Sequence, residues 1–431
     1  MKEQTNNKVA HPLTWIPSTW FAMGLPFVAL STAATLMYKN LGVSDAKIAF
    51  WTSLIMMPWT LKPLWGPFLE LYKTKKFFVF VTQILTGLLF GLVGISLQLD
   101  AFFSVSIGIL AIIAISGATH DTAADGVYLN ELSATLQAKY VGWQGAFYNI
   151  AKVFSGGALV YLAGQLEKNI GVVNAWMIVM FAYGLIMILL GIYNMRAIPS
   201  GQPAAQTSSL KEGFSTLKDV IISFFQKKYI WFSLAFIVFY RFAEGQAIKI
   251  IPLFFKASRE EGGLGLSTSE IGLLYGVFGA IAFVLGSILA GNYVAKNGLN
   301  RKTLLVLCAF FNIPFAAYAF LAIAMPTNLY LIAGAVIVEY FGYGFGFVGL
   351  ILFMMQNIAP GKYKMAHYAF GSGLMNLGFM IPSMISGYLS DHLGYKEFFI
   401  WVLIATIPAF IVSWLVPLRK PDDNESLESD Q

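Results

Sequence analysis

The sequence predicts an all-α membrane protein with twelve transmembrane helices in two pseudo-symmetric six-helix bundles. Three observations carry that expectation. Of 431 residues, 57% are hydrophobic and only 12% charged, against about a quarter charged in a soluble chain. Apolar runs of about 20 residues, the length that crosses a bilayer as a helix, recur along the whole chain. None of the runs alternates with a period of two, as a membrane β-barrel requires.

The spans are expected at about 14–38, 45–69, 76–98, 102–131, 141–166 and 174–194, then at about 229–256, 268–296, 301–324, 328–356, 363–390 and 396–416. The start, "MKEQTNNKVAHPLTW", lacks the pattern of a signal peptide, so the first span is expected to be retained. Between the sixth and seventh spans, segment 195–228 opens as a Gly/Pro/Ser linker. It then becomes amphipathic, with Leu210, Phe214, Leu217, Ile221 and Phe224 at helical spacing, which reads as a helix lying at the membrane interface. The expected organisation is a bundle over 14–194, a cytoplasmic linker over 195–228, a second bundle over 229–416, and an acidic tail over 417–431 whose composition predicts disorder. The single cysteine, Cys308, lies in an apolar run, reads as a small core residue and excludes a disulfide within the chain.

Basic residues set the expected orientation. With the N-terminus inside, eighteen Lys and Arg fall in inner segments and six in outer ones. The positive-inside rule then places both termini and the long linker in the cytoplasm. The net charge of +6 is thereby assigned to one membrane face rather than to nucleic acid.

The halves show weak internal similarity. "GPFLELYKTKK" follows span 2 and "GNYVAKNGLNRK" follows span 8, each with a Gly before a basic turn. Spans 5 and 11 are both rich in Gly, Ser and Ala, as close helix packing requires. Two parallel repeats related by an axis along the membrane normal are the plan of the major facilitator fold. The basic turns resemble that superfamily's Gly-x-x-x-Asp-Arg-x-Gly-Arg-Arg loop. Glu70 stands where Asp is usual, and the second copy has Asn292 and no acid. Glu70 and Arg301 are therefore gating candidates, and the resemblance implies that spans 1, 4, 7 and 10 line a central cavity.

An ionisable residue at mid-bilayer costs on the order of 2.5–3.5 kcal/mol, so each one needs a partner, water or a function. They are Lys62 in span 2; His120, Asp121 and Asp125 in span 4; Lys152 in span 5; Arg241, Glu244 and Lys249 in span 7; Glu339 in span 10; and His367 near the start of span 11. Asp121 and Asp125 are four apart and share a helix face. A carboxylate pair in an apolar setting can take up a proton to shed charge, and Lys152 is long enough to reach Asp121, as a proton-linked partner or as a structural ion pair. His120 points about 100° away, toward a helix interface or a proton relay. Arg241 and Glu244, three apart, can pair along span 7, with Glu339 a second acid and Lys249 a second base. That set reads either as a self-neutralised network or as a site for an anionic or hydroxyl-rich solute. "GLP" at Gly24–Pro26, together with Pro252, is expected to interrupt helix hydrogen bonding, which makes Gly24 and Pro26 further gating candidates. Trp15, Trp51 and Trp401 read as interfacial anchors, and Trp143 and Tyr148 as packing or sugar-stacking rings. No metal-ligand cluster, P-loop or nucleophile elbow occurs. The expectation is a non-enzyme with no metal or cofactor, driven by an ion or substrate gradient.

"FAMGLPFVAL", "PWTLKPLWGPFLEL" and "THDTAADGVYLNEL" resemble the AmpG-type muropeptide permeases and their acetyl-CoA-transporter relatives. That group shows Gly-Leu-Pro, then Pro-x-x-x-Lys-x-x-Trp-x-Pro-x-x-Asp, then Gln-Asp-x-x-x-Asp. The matching positions are Gly24, Leu25 and Pro26; Pro58, Lys62, Trp65, Pro67 and Glu70; and Asp121 with Asp125. His120 replaces the usual Gln, and Asn149 stands where an Arg is common, with Lys152 three residues on. The resemblance implies a monomeric inner-membrane importer of anhydro-muramyl peptides or related amino-sugar compounds, driven by protons, with polar roles for Lys62, Asp121 and Asp125. The alternatives are another solute (an oligosaccharide, a siderophore-like chelate or a coenzyme A ester) or a membrane sensor or lipid-handling scaffold.

Overall fold

The computed structural model describes residues 11–61, 69, 74–132, 134–199, 210–360 and 363–418. Lys62, Glu70, the first ten residues and the tail from 419 lie outside the described residues. The described chain is helical throughout: α1 Pro12–Asn40, α2 Asp45–Leu54, α3 Lys75–Ser96, α4 Phe102–Glu131, α5 Trp143–Ile170, α6 Val172–Ala197, α7 Leu210–Phe225, α8 Ile230–Tyr240, α9 Phe242–Lys256, α10 Thr268–Asn297, α11 Arg301–Ala324, α12 Leu329–Ile358, α13 Lys364–Leu393 and α14 Tyr395–Leu415. Among the described residues, nine helices are long and apolar enough to cross a membrane, or ten when the pair bent by 94° between Phe225 and Ile230 counts as a span. The linker helix α7 turns into α8 at that bend, where Tyr229 takes a left-handed conformation (φ 60°).

In the first half, α3 packs between α4 and α6, and α1 lies on α5; in the second, α12 packs against α10 and α11, and α9 against α13. Small residues make these contacts close. A Cβ at Gly87 on α3 would lie 2.6 Å from the Gly184 carbonyl of α6. Two seams join the halves: α2 runs along α13, and α5 crosses α10. At that crossing a Cβ on Gly157 would sit 2.4 Å from the Gly276 Cα, so only glycine fits on either side.

One end of the bundle, opposite the termini, is fastened across the halves. Asn40 Nδ2 donates to Glu167 and to Thr268 Oγ1 (2.9 Å), and Thr268 Oγ1 donates to Glu167 Oε2 (2.8 Å). Lys39 pairs with Asp45 at 2.7 Å, and Asp45 accepts from the Tyr395 hydroxyl. Gln165 donates to Ser269 Oγ at 3.0 Å.

Several sequence expectations change here. The helix does not break at Gly24–Pro26: α1 runs through Pro26, and the irregularity comes later, as a π-helical turn at Ala29–Ala33. Pro26 supplies no N–H, and the Ala29 N–H is shared between the Leu25 and Pro26 carbonyls as the helix widens. Gly24 serves packing, since a Cβ there would lie 2.7 Å from the Tyr148 carbonyl. In span 7 the interruption falls at Arg241 (φ −102°, ψ 7°), while Pro252 stays inside α9. Trp15 is fully buried beside Trp20 and Tyr128 and anchors no interface. Trp401 is partly exposed and donates to Gln246 Oε1 at 2.6 Å. Trp143 is exposed and stacks on Phe147, and Cys308 is buried. Arg301, the gating candidate, begins α11 with its guanidinium 5.4 Å from the Trp414 ring.

Candidate functional site

A cavity of about 230 Å³ lies between the halves. It brings Arg241, Glu244 and Lys249 of α9 and its break together with Glu339 of α12 and Lys152 of α5. Trp59, Thr60, Phe379 and Tyr343 complete much of its wall.

Arg241 and Glu244 pair as the spacing suggests. Arg241 Nε and Nη2 donate to the two Glu244 carboxylate oxygens at 2.6 and 2.8 Å. The pair is buried, and the guanidinium lies 4.4 Å from the Phe379 ring and 5.3 Å from that of Phe347. The break between α8 and α9 falls at Arg241, so one irregular residue aims the guanidinium along the axis toward Glu244. Glu339 joins neither base; it accepts from the Tyr318 hydroxyl at 3.2 Å. Lys249 crosses to the other half, where it donates to the Ser31 carbonyl at 3.2 Å and the Thr52 carbonyl at 3.5 Å. Ser31 lies in the π-helical turn of α1, an irregularity of a kind frequent at functional sites.

The expected contact of Lys152 with Asp121 does not form. The Lys152 amine sits over two rings, 5.7 Å from Tyr148 and 5.5 Å from Phe283, and has no ion-pair partner among the described residues. It lines the central cavity with Arg241 and Glu244, whereas Asp121 is bonded to Trp59, just past the end of α2. Asp121 Oδ2 accepts from Trp59 Nε1 at 2.8 Å, and its Oδ1 is buried without a hydrogen bond among the described residues. Nor do Asp121 and Asp125 form one dry carboxylate pair. Asp121 is buried under Trp59, while Asp125, one turn nearer the end of α4, is exposed.

His120 takes the interface role. Gln83 Nε2 donates to His120 Nε2 at 2.9 Å, which leaves the proton of a neutral imidazole on Nδ1, 3.8 Å from Asp121 Oδ1. The chain continues outward: Asn194 Nδ2 donates to Gln83 Oε1 (3.1 Å), and Ser18 donates to Asn194 Oδ1 (2.6 Å). Four helices, α1, α3, α4 and α6, thus share one polar thread. His367 lies apart, bonded to Ser223 of α7 at 3.0 Å. Sequence reasoning missed Trp59, Gln83 and Asn194. The two amides carry a readable signal, being uncharged polar groups inside apolar runs, "FVTQILTG" and "GIYNMR".

The model for the Major Facilitator Superfamily matches residues 18–366 and 250–431. An uncharacterized protein of Haemophilus influenzae is 24% identical over 428 residues, covering 95% of each chain. The anhydromuropeptide permease of Escherichia coli K12 is 22% identical over 402 residues, covering 91% of this chain and 77% of the permease. The crystal structure of the nucleoside transporter NupG superposes with a TM-score of 0.69 at 13% identity, over 94% of this chain and 99% of its own. That likeness concerns the fold.

Proposed function

The chain belongs to the Major Facilitator Superfamily, and is therefore a multi-pass membrane transporter of a small solute rather than an enzyme; on that premise we propose that it imports anhydromuropeptides or related amino-sugar peptides together with protons. The observation that carries this reading is the charge set of the central cavity. Arg241 and Glu244 neutralise each other, Lys249 is held by carbonyls, and Glu339 is bonded to a tyrosine. Lys152 makes no ion pair among the described residues, and the acid that shares its cavity, Glu244, is already paired with Arg241. A peptide carboxylate supplies the missing anion, and Phe379, Tyr343 and Trp59 offer faces for sugar rings. The relative named as an anhydromuropeptide permease supports that substrate class.

The cavity, about 230 Å³, is smaller than the ~300–1,000 Å³ of most small-molecule sites. A disaccharide peptide enters only when the halves part. The end carrying Asn40, Glu167, Thr268 and Tyr395 is shut by bonds across the halves, and opening requires those bonds to break. Trp59 links the two tasks: its ring lines the cavity while its N–H holds Asp121. In this reading Asp121 and the exposed Asp125 take up and release the proton, and filling of the cavity reaches Asp121 through the indole. The gradient replaces any cofactor. The protein acts as a monomer in the bacterial inner membrane with both termini cytoplasmic.

Uptake into energised vesicles tests the coupling. Asp121→Asn is expected to slow gradient-driven accumulation at least tenfold and to abolish its dependence on external pH. Wild-type pH dependence in that variant removes Asp121 from the mechanism, and the same experiment on Asp125→Asn decides the second acid.

A further inference from the structure

The α5–α10 seam is open on its membrane side. At Gly157 and Gly276 the backbones touch, but toward the N-terminal end of α5 the helices diverge. They leave a cleft of about 890 Å³ with walls from Ala146, Ile150, Val153, Ala158, Val277 and Val284. Ile150 and Val284 are 49% and 45% exposed, at the lipid-facing side. Asn149, Val153 and Val284 also line a second space of about 120 Å³ that contains Lys152. Lys152, Tyr340 and Tyr343 in turn line the central cavity. The three spaces share lining residues from the bilayer side to the charged centre, and Lys152 lines the inner two.

We propose that this cleft is a lateral portal that binds a single-chain anionic amphiphile from the bilayer, with its chain between α5 and α10 and its head at Lys152. The occupant follows from the chemistry of the walls. A water-soluble solute gains nothing from an apolar cleft, and a neutral lipid chain leaves the Lys152 amine over the Tyr148 and Phe283 rings without an ion pair. An acyl chain ending in a carboxylate satisfies both: apolar carbon lies against Ile150, Val153 and Val277, and the anion meets an amine that makes no ion pair among the described residues. The cleft volume falls within the ~300–1,000 Å³ range of small-molecule sites. The chain-binding cleft lies outside the central cavity, but Lys152 belongs to that cavity, so an amphiphile head there competes with the peptide carboxylate of the transport reading, on which this point rests.

The test is equilibrium binding of radiolabelled dodecanoate to the full-length protein in nanodiscs, with unlabelled dodecanol and acetate as competitors. Dodecanoate is expected to bind saturably, and acetate not to displace it. Lys152→Gln should weaken dodecanoate at least tenfold while leaving dodecanol unchanged, and Lys152→Arg should restore it. Ala158→Phe and Val284→Trp, which fill the cleft from opposite walls, should each weaken both chain-bearing probes. Dodecanoate binding unchanged in Lys152→Gln and in both cleft variants overturns the proposal. Displacement by acetate as effective as by dodecanoate also overturns it, because it marks a free-anion site with no chain. Muropeptide uptake measured on the two cleft variants separates this result from the transport reading, since neither residue lines the central cavity.

Discussion

At the scale of residues, the ionisable groups were legible because charge stands out in an apolar run. The Arg241–Glu244 pair follows from spacing alone. The partners of Asp121 and His120 were not legible, because they depend on how neighbouring helices rotate and lean. A lysine one helix away looked like the partner of Asp121, and the indole of Trp59, just past the end of α2, holds it instead. Trp59→Phe keeps an aromatic wall, smaller than the indole, and removes the N–H. Substrate binding in this variant should stay within about threefold of wild type while the pH profile of uptake shifts; an unchanged profile separates Trp59 from the proton site. Gln83→Leu strands His120 and Asn194 together. Leaving buried polar groups unpaired costs roughly 1–3 kcal/mol, so thermal unfolding in detergent should begin several degrees lower. A wild-type melting curve would show that the thread contributes nothing to stability.

At the scale of elements, the helices and their order were readable from length and apolarity, and the places where they deviate were not. π-helical turns interrupt α1, α5, α10 and α12 at Ala29–Ala33, Phe154–Leu159, Leu274–Gly279 and Met354–Ile358. Such turns have no compositional mark, whereas proline does, so the sequence pointed to Pro26 and Pro252 in place of Ala29–Ala33 and Arg241. The α5–α10 crossing and the closed end make the sharpest element-scale tests. Gly157→Leu forces a side chain into the Gly276 backbone. Overpacking of this kind costs about 1–3 kcal/mol, and the variant should melt earlier than Gly157→Ala; equal melting would contradict the close crossing. Glu167→Ala removes the acceptor shared by Asn40, Thr268 and Trp176. A cysteine at Gln165 should then react with a water-soluble maleimide several-fold faster than in the otherwise wild-type chain. The native Cys308 is buried and gives a low background. Equal labelling rates would show that the latch does not hold this end shut.

At the scale of the whole molecule, the fold followed from repetition. Apolar runs recur in two sets around one long polar linker, and that plan admits few arrangements in a bilayer. The cavity between the halves was legible only as a list of costly charges. Which of them meet across the interface, as Lys249 meets Ser31 and Thr52, is fixed by docking of two bundles far apart in sequence. The membership in the Major Facilitator Superfamily establishes solute transport, and the reading of muropeptide import with protons is the claim most open to direct trial. Purified protein in proteoliposomes, given an imposed proton gradient and a radiolabelled disaccharide-anhydromuramyl peptide, measures it in one step. The account expects accumulation above the external concentration that collapses when a protonophore is added. No uptake beyond that of empty liposomes, with a different solute accumulating under the same gradient, would contradict it.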